Sequence, residues 1–359
     1  MVKTLDKYFI GLFFKKLLML SIIFFSLSFT LTIFEEITFL SESSSAFYLP
    51  FLLAIFNAPT TLIEIFPFII LISAQLFFID LIKKKEDELI KINNLNNLYL
   101  IKVLSLCSFL FGILIITVYY PISSKFKFIY SDIKNVYSDD GKYLKHLNDN
   151  GIWIKDEINN EIFIINGVSK KDPFLENVFI SKFNNNFDLI ENIFAKNVDI
   201  TNDQWVIENP IIFKDNRQTR IAKNIVLNTH FNIDKINSSF RNLNSFNLFQ
   251  LIDIKNENKL LGYSSQDIDL HFLKIISLPI YFSILAIISS LIMLNIKKNK
   301  PYIFHVLLGI SLSVIIYYIN NIFNVFGLTN KIPIYLSIFF PMIFLGIISI
   351  IGLIRINEK

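Results

Sequence analysis

The chain has 359 residues, of which 53% are hydrophobic and 18% charged, and Phe alone occurs 38 times. Soluble domains carry about 25% charge; the low charge and a mean hydropathy of +0.51 exclude a disordered chain, a coiled coil and an ordinary cytosolic enzyme. A single cysteine, Cys107, excludes a disulfide framework and a cysteine-cluster metal site, and Gly and Pro at 10 each exclude a linker-rich chain.

Apolar runs of ~20 residues cross a hydrocarbon core. In chain order such runs lie at 17–34, at 60–79 with only Glu64 inside it, at 103–122, 275–296, 301–330 and 332–354. They predict an α+β membrane protein of six transmembrane helices, three on each side of an inserted domain. The expected division is an N-terminal transmembrane half at 1–122 (spans about 17–40, 60–82 and 103–122), an inserted domain at 123–270, and a C-terminal half at 271–359 (spans about 271–296, 301–323 and 332–354). The first run is too long for a cleaved leader, ends at Glu35 and Glu36, and lacks a small-residue cleavage site.

Lysine and arginine next to the spans set the expected orientation. Lys3, Lys7, Lys15 and Lys16, then Lys83, Lys84, Lys85, Lys91 and Lys102, then Lys297, Lys298 and Lys300, then Arg355 and Lys359 all fall on one side. Lys274 and Lys331 fall on the other. This predicts cytoplasmic termini and an insertion on the outer side. Charge in the insertion is nearly balanced, which argues against nucleic acid as a partner, and the basic rims suit anionic lipid.

The insertion reads as short strands separated by Asn, Asp and Gly clusters: 151–156 and 161–167 joined at Asn159 and Asn160, then 177–183, 193–200, 204–208, 211–213 and 224–228. About eight strands at this spacing suggest a sandwich or jelly roll. Residues 123–148 are read as leading in from the third span, and 240–270 as a return linker with an apolar patch at 246–254.

Catalytic machinery is hard to find. The only Gly-Lys pair, Gly141-Lys142, lacks the spacing of a phosphate-binding loop. His146, His230, His271 and His305 are scattered without metal-ligand spacing, and Cys107 lies inside the third span. No metal and no cofactor of its own is expected. Ionisable groups at membrane depth are functional candidates, with interfacial solvation as the plainer reading. They are Glu35 and Glu36 after the first span, Glu64 in the second, Lys125 and Lys127 after the third, and Lys274 at the start of the fourth. The charged stretch Glu86, Asp87, Glu88, Leu89 and Ile90 reads either as a solvated loop or as a short helix on which a soluble partner docks, its acids in the first turn where the helix dipole favours them.

The order of these parts resembles the LptF/LptG (YjgP/YjgQ) family of lipopolysaccharide export permeases, over nearly the whole chain. Leu5-Asp6-Lys7-Tyr8-Phe9-Ile10 is similar to the family's amphipathic lead-in. Ala58-Pro59 through Pro67-Phe68 is similar to its proline-bounded second span, and Asp87-Glu88-Leu89 to its Ser-Glu-Leu. Gly151-Ile152-Trp153, Ile165-Asn166-Gly167, residues 195–205 and the His271…Pro279 spacing also fit, the last more in the LptG style. Two positions depart from the pattern: Asn93-Asn94-Leu95-Asn96 replaces a small-residue turn, and Glu35 and Glu36 stand where some relatives carry basic residues.

The resemblance implies a non-catalytic inner-membrane subunit with a periplasmic β jelly roll. It implies pairing with a paralogous six-span permease as a heterodimer, and an LptB-like cytoplasmic ATPase dimer that binds ATP and docks at residues 86–90. It also implies transfer of lipopolysaccharide from the outer leaflet to an LptC/LptA-like periplasmic bridge protein. Glu35, Glu36, Lys125, Lys127 and Lys274 are then the expected lipid-binding or gate residues. The alternative from another class is a membrane-bound glycan or lipid transferase facing the same side, which would need Glu35 and Glu36 as paired carboxylates.

Overall fold

The structure is a computed structural model that describes residues 2–41, 46–84, 86, 97–137, 152–171, 173–214, 217–220, 223–233, 235–236, 241–260, 264–294 and 301–357. Two compact units emerge, Met1–Lys127 with Gln266–Lys359, and Phe128–Ser265. Among the described residues five helices are long and apolar enough to cross a membrane, and a bent helix pair makes a sixth. The protein is thus an α+β membrane protein with an antiparallel sheet domain inserted between its helices.

The spans are Thr4–Leu40, Leu49–Lys83, Asn97–Val136, the pair Gln266–Ile276 and Leu278–Leu294, Ile303–Leu328, and Ile334–Ile356, numbered here 1 to 6. Span 4 bends by 50° at its break. Pro279 explains the bend: it has no N–H to offer the carbonyl four residues back, and its ring crowds that carbonyl. The Ser277 hydroxyl donates to the Lys274 carbonyl at 2.8 Å, repairing part of the lost backbone bonding. Span 3 carries a π-helical turn at Ile115–Tyr119, closed by the Tyr120 N–H on the Ile115 carbonyl. Pro121 follows, so the ordinary four-residue bond cannot resume there and the five-residue bond takes its place.

The bundle core is aromatic. Phe13, Phe77, Phe78 and Phe282 are almost completely buried, and Phe66 meets Phe111 edge-on at 5.4 Å. Without a hydrophobic driving force in lipid, such close packing and the polar contacts between helices hold the spans together. Outward residues such as Leu18, Ile22, Ile303 and Ile343 remain exposed, as lipid-facing positions must.

The inserted unit is an eight-stranded antiparallel sheet: β1 Ile152–Ile158, β2 Glu161–Lys171, β3 Phe174–Phe183, β4 Leu189–Asp199, β5 Gln204–Ile207, β6 Ile211–Lys214, β7 Arg217–Arg220 and β8 Ile225–Asn228. Strands β1 to β4 form a meander. β5 and β6 keep a single register on β4, with Val198 opposite Ile207 and Phe194 opposite Ile211. They are one strand interrupted at residues 208–210, where Asn209 adopts a φ of 44° and Pro210 cannot donate. β7 and β8 return along them with a one-residue slip. The β1–β2 turn places Asn159 and Asn160 at φ 51° and 64°, the paired left-handed geometry of a two-residue hairpin. Trp205, fully buried at the centre, donates its indole N–H to the Phe231 carbonyl at 2.7 Å.

Two readings of the insertion need correction. β7, with the sequence Arg-Gln-Thr-Arg, has no apolar alternation and forms through pairing with β6 alone. Residues read as a return linker contain the helix Leu248–Leu260. Its start is a reciprocal cap, the Gln250 N–H on Asn247 Oδ1 and the Asn247 N–H on Gln250 Oε1, both 2.9 Å.

A candidate lipid cleft among the spans

A cleft of about 530 Å³ lies within the membrane unit among spans 1, 2, 4 and 5. Span 1 contributes Phe24 and Leu27, and span 2 contributes Thr61, Glu64, Ile65, Pro67 and Phe68. From span 4 come Lys274, Tyr281 and Leu285; from span 5, Ser313, Val314, Ile316, Tyr317, Tyr318, Asn320, Asn321 and Asn324. Apolar walls with a few convergent polar groups are the usual composition of a ligand site. Helix periodicity explains the lining. Thr61, Glu64, Ile65 and Phe68 follow the i, i+3, i+4, i+7 spacing of one helix face, and so do Tyr317, Asn320, Asn321 and Asn324.

Depth follows from helix rise. Glu64 lies roughly 28 Å along its helix from Lys83, about one hydrocarbon thickness. Lys274 and Asn324 stand at comparable distances from the opposite ends of their own spans. Glu64, Lys274 and Asn324 therefore stand at similar depth, while Ser313 lies about 16 Å from Asn324, near the middle of span 5. Asn320 Nδ2 donates to the Tyr281 hydroxyl at 2.7 Å, fixing spans 4 and 5 beside each other. Glu64 and Lys274 are both exposed, and no ion pair joins them among the described residues.

Around the cleft a polar layer ties spans 2, 3 and 4 together. Tyr119 donates to the Pro59 carbonyl at 3.0 Å, Thr60 and Ser123 share a 3.0 Å hydroxyl contact, and the Tyr120 hydroxyl lies 3.0 Å from His271 Nε2.

Of the expected gate residues only Lys274 lines the cleft, joined there by Glu64. Lys127 donates to Asn57 Oδ1 at 2.7 Å, while Lys125 is exposed. Glu35 is exposed and Glu36 completely buried, so the two carboxylates face different environments on successive helix positions. Tyr281, Tyr317, Tyr318 and the three asparagines were not anticipated, although the amide stripe in an otherwise apolar run was there to be found by its helical spacing.

Of the expected docking stretch, Asp87, Glu88, Leu89 and Ile90 lie outside the described residues. Glu86 is described and accepts a 2.7 Å hydrogen bond from the Tyr8 hydroxyl of span 1. Lys84 donates to the same hydroxyl at 3.4 Å and stands 3.9 Å from Glu86. The bond to Tyr8, with Glu86 nearby, raises the Lys84 ammonium above the ordinary lysine range. Two more contacts fasten the same end of span 1, Lys16 to Asp80 at 2.6 Å and the Tyr99 hydroxyl to Asp6.

No curated protein matches the chain. A family model does, over residues 7–355: lipopolysaccharide export system permease LptF/LptG. Six apolar spans, a sheet domain inserted after the third and a match over nearly the whole length place this chain in the LptF/LptG family of multi-pass lipopolysaccharide export permeases.

Proposed function

We propose that the chain is the membrane subunit of an ATP-driven exporter that lifts lipopolysaccharide out of the outer leaflet, with ATP bound by a separate cytoplasmic ATPase. In this reading the termini are cytoplasmic and the sheet domain is periplasmic. A paralogous permease completes the cavity, and a bridge protein of similar β architecture takes the lipid onward. The cleft carries the proposal, since it sets apolar walls beside headgroup-level polar groups. Lys274 and Glu64 meet the headgroup, while Phe24, Leu27 and Phe68 meet acyl chain. The remaining gate candidates Glu35, Glu36, Lys125 and Lys127 would act at the rim or against the partner permease.

Span 1 supports a mechanical link. The same continuous helix holds Glu86 through Tyr8 and lines the cleft through Phe24 and Leu27, roughly 24 Å further along. Force applied at residues 86–90 by a docked ATPase would reach the cleft wall through this helix. No bond of the substrate is made or broken, so no catalytic group is required. The transferase reading is weaker, because Glu35 and Glu36 do not converge.

The test is co-purification of the tagged chain from its native membranes, with Glu88→Lys in parallel and ATPase activity assayed. A soluble ATPase and a second six-span chain should accompany the wild type, and the variant should lose or uncouple the ATPase. A wild-type chain that arrives alone and without ATPase activity would overturn the proposal.

A further inference from the structure

We infer that the Asn321 and Asn324 amides read the sugar hydroxyls of a glycolipid headgroup, so that the cleft selects its lipid by the saccharide; this rests on the reading of the cleft as a lipid site. Asn320, beside them, already donates to Tyr281 at 2.7 Å. The Asn321 and Asn324 side chains line the cleft and make no hydrogen bond among the described residues. Asn321 is exposed and Asn324 half-buried, so both are open to an occupant. An amide at membrane depth without a partner is costly, and the occupant of the cleft has to supply one.

The kind of partner follows from the amide itself. Each amide carries an acceptor oxygen and a nitrogen that donates twice. An acyl chain offers neither, a phosphate offers acceptors alone, and an ammonium offers donors alone. A sugar hydroxyl both donates and accepts, so a ring bearing several hydroxyls satisfies both ends of both amides. The spacing suits one headgroup: the two residues are three apart on one helix, which sets their Cβ atoms about 5–6 Å apart, close to the breadth of a single sugar ring. Tyr317, one turn before Asn321 on the same face, is 56% exposed and offers an aromatic surface to the apolar C–H side of such a ring. Lys274, the only cation of the lining among the described residues, meets a phosphate. Phosphate is common to many membrane lipids and does not tell a glycolipid from a phospholipid. Lipopolysaccharide, the lipid of this family, is itself a glycolipid, and its saccharide is the part that these amides meet.

The experiment uses the full chain, purified in detergent and exchanged against an equal mixture of two lipids, with retained lipid identified by native mass spectrometry. The probes are a tetra-acylated, bis-phosphorylated diglucosamine lipid and cardiolipin, which match in phosphates and acyl chains and differ in the sugar. The wild type should retain the diglucosamine lipid about tenfold over cardiolipin, about threefold for each amide, the weight of one neutral hydrogen bond net of water. Asn321→Leu and Asn324→Leu should each lower the ratio about threefold, and the double variant should bring it near unity. Asn321→Ser with Asn324→Ser keeps a donor and an acceptor at both positions and should keep part of the preference. Lys274→Gln should weaken retention of both lipids and leave their ratio in place. None of the asparagine changes removes a side-chain bond that the structure holds, so these variants should elute as the wild type does on size exclusion. A wild type that retains the two lipids equally, or prefers cardiolipin, overturns the sugar assignment. So does a ratio that collapses in Lys274→Gln while the double leucine variant keeps it. A ratio unmoved in the double leucine variant, with a second six-span chain no longer co-purifying, overturns it by assigning the amides to a helix interface. Retention of neither lipid by the wild type would instead overturn the cleft as a lipid site, and this inference with it.

Discussion

Gly112 of span 3 leaves no room for a side chain, because a Cβ there would sit 2.5 Å from the Pro279 Cα of span 4. The obstacle is backbone, so the helices themselves would have to separate. Gly112→Ala should therefore cost about 1–3 kcal/mol, read as a lower melting temperature of the detergent-solubilised chain. A wild-type melting curve would show that the spans are not packed this closely. The pairing of Gly309 with Gln75 is different in kind. The Gln75 amide fills the space that Gly309 leaves and donates to the His305 carbonyl at 3.1 Å, inside the bundle. Gly309→Ala should displace that amide, and Gln75→Ala should give up one intramembrane hydrogen bond, worth about 0.6–2 kcal/mol. The double variant should be less destabilised than the two singles added together, by about 1 kcal/mol, because the new methyl occupies vacated space. Strict additivity in a thermal-melt cycle would refute this contact. Both glycines fall inside apolar runs, but the sequence does not say what faces them, since that depends on which helices become neighbours. The asparagine stripe at 320, 321 and 324 was legible in principle. It carries no formal charge, and charge is what marks a polar position at membrane depth most plainly in an apolar run.

Elements with a strong local rule were legible, and those built by tertiary pairing were not. The Asn159-Asn160 turn fixes its hairpin by backbone preference, and the charge-free runs fix the spans by length. β7 depends on its neighbour, and the break in span 4 is visible only as one proline among several. The helix at Leu248–Leu260 had a readable cap, Asn247 with Gln250, but little amphipathic pattern to confirm it. Another element-scale feature is the fastening of residues 229–233 to the sheet. Asp156, buried on β1, accepts the His230 backbone N–H at 3.0 Å and the Glu157 N–H at 2.9 Å, and its carboxylate lies 2.8 Å from His230 Nδ1. Removing it strands these donors. Asp156→Ala should destabilise the inserted unit by about 3 kcal/mol, given 1.5–3 kcal/mol for each charged bond less what water restores. Both tryptophans, Trp153 and Trp205, lie in this unit. Denaturation of the full chain followed by tryptophan fluorescence therefore reports on the sheet domain selectively, and an unchanged midpoint would mean that Asp156 does not anchor the segment.

At the scale of the whole molecule, the proposed export mechanism requires that a push at one membrane face reach a lipid at the other. Span 1 is a continuous helix from Val2 to Leu40, so a displacement of its first turns is carried to Phe24 and Leu27 without an intervening hinge. Its first turns are held from two sides: by Glu86 and Asp80 at the end of span 2, and by Tyr99 at the start of span 3. These contacts bracket the stretch where the ATPase is proposed to dock. In the proposed mechanism Tyr8 is a positioning residue between docking stretch and cleft. Its phenol is the bond donor to Glu86, so Tyr8→Phe removes the link while keeping the ring and its packing. The expected outcome is a complex that still assembles, with basal ATPase activity near that of the wild type, but whose activity no longer responds to added lipid. Glu86→Gln keeps an acceptor for the Tyr8 hydroxyl and should retain most of the response. Loss of assembly in Tyr8→Phe would make the residue a structural anchor of the docking surface instead. A full lipid response in Tyr8→Phe would mean that force reaches the cleft by another helix, with span 2, which runs from the cleft wall at Glu64 to Lys83, the next to examine.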